Sequence, residues 1–292
     1  MSILPSISIV TPSFNQGQFL EETIRSVLDQ NYPNLEYIIM DGGSTDNSLE
    51  IIKKYEKHLK YWQSQSDGGQ YSAINKGFEL TTGEIMAWIN SSDKFLPGAL
   101  HVVVEIFKTF PEIEWLTTQI PLLFDENGLI ISAHFIDSFS KEGFLKGEFL
   151  MRKGYWSRGF IQQESTFWRR SLWERSGGCL NTNYKLAGDF ELWARFFHHA
   201  ELYGVYFPVS GFRMHPNQKT LNMKLYIDDA EKVFKAFKVK PYGKLESHFK
   251  GLINRFWPIT LRKIAVDLGL LYPYKCVVFC GYPNRWIIKS KY

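Results

Sequence analysis

Residues 7–46, ISIVTPSFNQGQFLEETIRSVLDQNYPNLEYIIMDGGSTD, decide the fold. ISIVT (7–11) has strand character, and the following LEETIRSVLDQ (20–30) puts Leu20, Ile24, Val27 and Leu28 on one helical face. LEYIIMD (35–41) is a second strand. The pattern then repeats. Asp46 is placed to cap a helix over NSLEIIKKYEKHL, YWQSQ (61–65) is a third short strand, and a helix across YSAINKGFEL leads into the strand of EIMAWIN. Such alternation needs crossover connections, so the expected fold is α/β, a mostly parallel, Rossmann-like sheet flanked by helices. Ligands in such folds bind at the carboxyl ends of the strands.

Polar clusters sit at those ends. Thr11-Pro12-Ser13-Phe14-Asn15 follows the first strand, Asp41 to Asp46 the second, Asp67-Gly68-Gly69 precedes the third helix, and Asn90-Ser91-Ser92-Asp93 closes EIMAWIN. Any one of them is ordinary turn chemistry. Four in succession on one edge point to a binding site, because a carboxylate such as Asp41 can accept from the imide of a uracil-like base and glycine-rich backbone lets a phosphate approach closely.

Composition bounds the function classes. With 292 residues, 45% apolar and 22% charged, the chain can bury a sizeable core and is neither disordered nor fibrous. Cys179, Cys276 and Cys280 offer neither an even disulfide framework nor a ligand set with nearby histidines, so no structural zinc is expected. The opening MSILPSISIV lacks a basic leader region, which gives a cytoplasmic expectation. No nucleic-acid partner is expected.

Together the motifs resemble a known family. TPSFNQGQFLEETIRSVLDQNYPNLEYIIMDGGSTDNS and DGGQYSAINKGFELTTGEIMAWINSSDKFLPGAL are similar to the nucleotide-binding half of the family 2 glycosyltransferases of the GT-A fold. The likeness continues through IQQESTFWRRSLWERSGG, LAGDFELWARF and FRMHPNQKT, so a catalytic domain over residues 1–220 is expected. The resemblance implies that Thr11, Pro12, Ser13 and Asn15 pack around the nucleotide base, that Asp41 reads the base beside the Gly43 turn, and that Asp67 and Asn75-Lys76-Gly77 lie near the sugar and diphosphate. It also implies a metal turn, in the nearest pattern Asn-Ser-Asp-Asp. Here Ser92 stands at the third position as a donor contact, and Asp93 remains to bind Mg²⁺ or Mn²⁺. His215 matches a segment that closes over the diphosphate, or is simply the polar end of a strand. Gln162, Gln163 and Glu164 match a loop near the donor sugar or acceptor, or are simply polar side chains in solvent.

The same resemblance makes Asp189 the general base, with Glu191 the weaker candidate; read alone, Asp189 is the N-cap of the helix that follows. Trp168, Trp173 and Trp193 stack on a sugar or fill the core. The implied activity is inverting transfer from a nucleotide-diphosphate sugar, with UDP expected, to a glycan or lipid-linked glycan. Two alternatives stay open: a nucleotide-sugar-binding protein without turnover, suggested by Ser92, and a nucleotidyltransferase, which TPSFNQG fits poorly.

Residues 221–292 lie outside the likeness and are expected to form a helical extension. The net charge of +4 is unevenly spread: residues 244–292 hold nine Lys or Arg against two Asp or Glu. Leu245, Phe249, Leu252, Ile253, Phe256 and Trp257 can share a helical face, while Lys250, Arg255, Arg262 and Lys263 stay available to phosphates. Tyr292 adds a final aromatic. This tail either meets an anionic membrane surface or packs on the core.

Overall fold

The computed structural model describes residues 4–137, 139–216, 218–256, 258, 261–282 and 284–291. The first half alternates as the sequence requires: β1 (Ile7–Ser13), α1 (Gly17–Leu28), β2 (Leu35–Asp41), α2 (Ser48–Tyr55), β3 (Tyr61–Ser64), α3 (Gln70–Glu79) and β4 (Ile85–Trp88). A short β5 (Lys94–Phe95) and α4 (Ala99–Thr109) follow, then β6 (Trp115–Thr118), β7 (Leu122–Phe124), β8 (Ile130–Ala133) and α5 (Lys141–Leu145). Next come β9 (Phe167–Arg169), α6 (Arg170–Arg175), α7 (Gly188–His199), β10 (Leu202–Val205), β11 (Ser210–Arg213) and α8 (Met223–Ala236). The chain closes with α9 (Lys244–Phe256), α10 (Arg262–Asp267), β12 (Tyr274–Cys280) and β13 (Arg285–Lys291).

Among the described residues the central sheet has nine strands in the order β13-β12-β10-β6-β9-β4-β1-β2-β3. β1 pairs in parallel with both β2 and β4, with Thr11 opposite Ile39 and Val10 opposite Trp88. β9 is the antiparallel insert between β4 and β6. Side chains alternate along each strand, so β1 sends Val10 to one core with Met40, Trp88, Trp168 and Trp193, and Ile7 and Ile9 to the other, with Ile24, Ile39 and Val103. Both faces are covered, which explains why these strands are almost uniformly apolar. A second sheet, β5-β11-β7-β8, stands beside the carboxyl end of β4 and brings the segment after β11 over it.

The C-terminal extension departs from the helical expectation. α8, α9 and α10 are helices, but β12 pairs in parallel with β10 through Gly204 and Cys276 and β13 pairs antiparallel to β12. The final hairpin therefore belongs to the central sheet, built from the β-branched and aromatic run VVF and WII, which suits a pleated surface better than a helix. Trp257 and Tyr292, counted above among the tail aromatics, lie outside the described residues.

Candidate active site

A cleft of about 530 Å³ opens at the carboxyl ends of β1, β2 and β4. It is lined by Pro12, Ser13 and Phe14 after β1, Gly42 after β2, Asp67, Gly69 and Gln70 at the start of α3, Ser91 and Ser92 after β4, and His215, Lys219 and Thr220 after β11. That volume suits a drug-sized or nucleotide-sized ligand. Of the residues expected here, Pro12, Ser13, Asp67, Ser92 and His215 face the cavity.

Others build the walls from behind. Asp41 is fully buried; its Oδ2 accepts from the Gly43 and Ser44 amides at 3.1 and 2.8 Å and from Ser64 at 2.7 Å, and Oδ1 accepts from Ser44 Oγ at 2.6 Å. The carboxylate thus orders the turn in which Gly43 adopts φ +83°, a left-handed conformation that glycine adopts without strain. Thr11 is buried against the Tyr37 hydroxyl at 3.0 Å, and Asn15 ties the β1 and β2 loops by accepting from the Thr45 amide at 2.8 Å. Asp46 joins the same region, accepting from Ser48 at the start of α2 and from Gly17 at the start of α1. Thr11, Asn15, Asp41 and Gly43 are therefore scaffold beside the cleft, outside its lining.

Asn75 and Lys76 do not reach the cavity. Helical periodicity puts Gln70 and Ala73 on the cleft face of α3 and turns Asn75 to the opposite side, where its amide bonds both backbone groups of Leu180 at 2.9 and 2.7 Å; Lys76 is exposed.

The turn after β4 is anchored from three directions. Thr23 of α1 donates to the carbonyls of Ser91 and Asp93 at 3.0 and 2.7 Å. Arg213 of β11 is buried and donates to the Ser92 carbonyl at 2.6 Å, to the Glu126 carbonyl at 3.0 Å and to Glu22. Asp93 is fully buried, accepting from the Arg213 amide at 2.9 Å and from Asn90 Nδ2 at 3.0 Å. Burial pushes its carboxyl up to about 6, against the lowering pull of those hydrogen bonds. Arg213 thus serves the turn and does not reach over the cleft; that position is taken by His215, whose ring meets Phe19 at 4.9 Å between centroids.

Gln162, Gln163 and Glu164 are buried, so they are not side chains standing in solvent. Gln163 donates to the Trp88 carbonyl at 2.7 Å and accepts from Asn90 at 3.2 Å, which links the β9 approach to the β4 turn. Burial, and next the Asp93 charge, hold Glu164 well above the usual carboxylate range.

Asp189 lies in the first turn of α7, one residue past its opening Gly188, and Ala187 occupies the cap without a side-chain bond, so the N-cap reading fails. Burial raises its carboxyl to about 6, and its Oδ1 is enclosed without a partner. It does not line the cavity described above; its neighbours are Tyr71, Tyr226 and Glu164, each of which its charge pushes upward after the larger effect of burial. Glu191 is committed elsewhere, to Arg195 one turn on at 2.8 Å, and that guanidinium also holds the Cys179 carbonyl at 2.7 Å and the Ser176 carbonyl. Glu191→Gln is expected to cost about 1–3 kcal/mol of stability by loosening this clamp and to change turnover less than tenfold. Thermal unfolding beside a rate measurement checks this, and a hundredfold rate loss in a stably folded variant would return Glu191 to the chemistry. Trp168, Trp173 and Trp193 are buried in an aromatic stack, with Trp88 and Trp193 centroids 6.0 Å apart, and fill the core.

Sequence reasoning missed Phe14, Gln70 and Lys219. Phe14 is 60% exposed at the cleft rim, an aromatic ring resting against Gly42. Lys219 Nζ donates to Gln70 at 3.2 Å, and Gln70 in turn donates to Asn90 at 2.7 Å, so a cation spans the cleft toward the Asp93 turn. The signal was present in HPNQKT, a basic residue following the His215 segment.

Comparison with known proteins agrees with this fold. The glycosyl transferase family 2 model matches residues 8–179. The putative teichuronic acid biosynthesis glycosyltransferase TuaG of Bacillus subtilis is 38% identical over 106 residues, 35% of this chain and 41% of that protein. Such matches span 33% to 41% of the length of several curated relatives. Among solved structures, residues 1–349 of S. aureus TarS with UDP-GlcNAc superpose with TM-score 0.60 at 13% identity, covering 90% of this chain and 79% of that one. The mannosyltransferase PcManGT from Pyrobaculum calidifontis, with GDP-Man and Mn²⁺, gives 0.59 at 16% identity, covering 92% and 75%. These likenesses show the GT-A fold, and with the family model matching more than half of its residues, the chain belongs to glycosyl transferase family 2.

Proposed function

We propose that the cleft binds a nucleoside diphosphate sugar, with uridine the expected nucleoside, and transfers the sugar with inversion to a hydroxyl of a glycan or lipid-linked glycan. One observation carries the ligand: four buried polar atoms without partners, on Ser13, Gln16, His215 and Thr220, belong to residues lining this one cavity. Native proteins rarely leave such atoms unsatisfied, and a polar ligand would pair them. TarS and PcManGT, whose folds this chain shares, were solved with sugar nucleotides.

In this reading Phe14 offers a stacking face to the base, and Ser13 and Lys219 meet the ribose and diphosphate. Asp189 takes the proton of the acceptor hydroxyl as that oxygen bonds the anomeric carbon; the bond to the diphosphate oxygen breaks, and its electron pair leaves with the diphosphate. Attack opposite the leaving group inverts the centre. No hydrogen bond competes for the Oδ1 of Asp189, and a pKa near 6 suits a base working near neutrality.

A divalent cation belongs to this reading, and Asp93 and His215 are the residues that would hold it. Asp93 has two of its roughly four acceptor positions committed, and His215, whose segment follows Arg213, has an enclosed Nδ1 without a partner. Burial, then Arg213, lowers the His215 pKa, which favours the neutral imidazole that ligates metals. Among the described residues no cluster of three or more His, Cys, Asp or Glu is arranged around a metal, so phosphate oxygens and water would complete the shell. Bound there, Mg²⁺ or Mn²⁺ would neutralise charge gathering on the departing diphosphate.

Calorimetry tests the donor assignment. UDP should bind in the presence of Mn²⁺, and Lys219→Ala should weaken binding about tenfold, the loss of one charged contact. Absence of binding by either UDP or GDP would contradict the reading. The pH profile gives a second check. Because Asp189 acts in its ionised form, turnover should be constant above pH 7 and fall tenfold per pH unit below about 6; a rate that holds level down to pH 4.5 would exclude it as the base.

A further inference from the structure

α9 is mounted with its apolar face outward. Leu245, Phe249, Leu252 and Phe256 recur at spacings of four, three and four residues, and at 87%, 61%, 55% and 69% exposure all four stand in solvent. At about 100° per residue they occupy an arc of roughly 60°. The opposite side is what packs. Ser247 accepts from the Trp156 amide at 2.7 Å and donates to the Trp156 carbonyl at 3.1 Å. Gly251 lies so close to the Trp156 ring that a Cβ there would sit 2.5 Å from it. Only glycine fits that contact, so the orientation is fixed by complementary packing. Lys250 also turns inward, contrary to the sequence expectation: it is buried, donates to the Leu270 carbonyl and lies 4.1 Å from the Tyr272 ring centroid.

A helix normally buries its Leu and Phe stripe and shows small and polar residues to water; here the arrangement is reversed. One edge of the exposed stripe carries Lys244, His248 and Arg255, all exposed. Residues 244–292 as a whole hold nine Lys or Arg against two Asp or Glu. Among the described residues no helix is long and apolar enough to cross a membrane. A short helix with large apolar side chains on one arc and cations beside them suits the interface of a bilayer, with the apolar arc among acyl chains and the basic edge at anionic headgroups.

We infer that the outward face of α9 docks the protein on an anionic phospholipid surface. This stands apart from the donor chemistry proposed above and would survive its failure. Removing residues 244–292 is no test, because it would strip β12 and β13 from the central sheet. The experiment is co-sedimentation of the full chain with vesicles of phosphatidylcholine alone or with phosphatidylglycerol, at low and high salt. The anionic vesicles should bind the protein at least tenfold more strongly than neutral ones, and salt should reduce that binding. Replacing Leu245, Phe249, Leu252 and Phe256 together by Gln should cut it at least tenfold with unchanged circular dichroism, and Lys244→Glu with Arg255→Glu should remove most of the salt dependence. The inference is overturned if the wild-type chain ignores anionic vesicles at low salt, or if the fourfold Gln variant binds them equally. It is also overturned if the stripe proves to join two copies of the chain, seen as a dimer that the Gln variant converts to monomer without any vesicle binding.

Discussion

Asp189→Asn is expected to lower sugar transfer at least 100-fold while donor affinity stays within about twofold. A lost general base commonly costs about 10²–10⁴ in rate, and a base that touches only the incoming hydroxyl contributes little to holding the donor. The same substitution should stabilise the protein at neutral pH. Burial raises the Asp189 pKa from 3.8 to about 6, so the folded state binds this proton more tightly than the unfolded chain. The stabilising contribution is fully present below pH 3.8 and is lost as pH rises through 6. Asp189 is only half-buried as a residue, so at pH 7.5 the ionised carboxylate is a liability that Asn removes, worth about 2 kcal/mol after allowance for that exposure; at pH 3.5 the two proteins should be equally stable. Denaturant melts at the two pH values, run beside the rate assay, check both halves. A variant within tenfold of wild-type turnover would remove Asp189 from the mechanism.

The second large effect is expected at Asp93. Asp93→Ala should cut transfer by about 10²–10³, the scale of removing one preorganised electrostatic group, and should abolish the dependence of donor binding on Mn²⁺. Chelation of the wild type should reproduce the loss. The substitution also leaves the Arg213 amide without its acceptor and removes one of the bonds that Asn90 Nδ2 donates, so circular dichroism must accompany the assay. Wild-type activity indifferent to chelation, together with an active and folded Asp93→Ala, would show that this carboxylate only pins β11 to the turn.

The alternation of strand and helix up to Trp88 was legible because both faces of the sheet are covered, which makes each strand an unbroken apolar run. The turn residues were legible as a set at one sheet edge. Which of them face the cleft was not. Asp41 and Asn15 are as polar as Ser13, but the turns between β1, β2 and β3 absorb their hydrogen bonds, and no single-residue property reveals that. Asn75 was lost to helix phase, and Glu191 to Arg195 one turn away, a pairing that the i, i+4 spacing does announce. The C-terminal hairpin was hidden because its partner strand, β10, lies about 70 residues upstream in the sequence. The outward face of α9 was foreseen as a stripe, except that Ile253, expected in it, is buried; its orientation depended on Gly251 meeting Trp156, a long-range contact.

The most direct measurement is release of nucleoside diphosphate from a panel of UDP- and GDP-sugars, with glycan and lipid-linked acceptors supplied, by the wild-type chain and by Asp189→Asn in parallel. The cleft chemistry predicts acceptor-dependent release from at least one donor by the wild type, reduced at least 100-fold in the variant. Release from no donor, or equal release by both proteins, would contradict it.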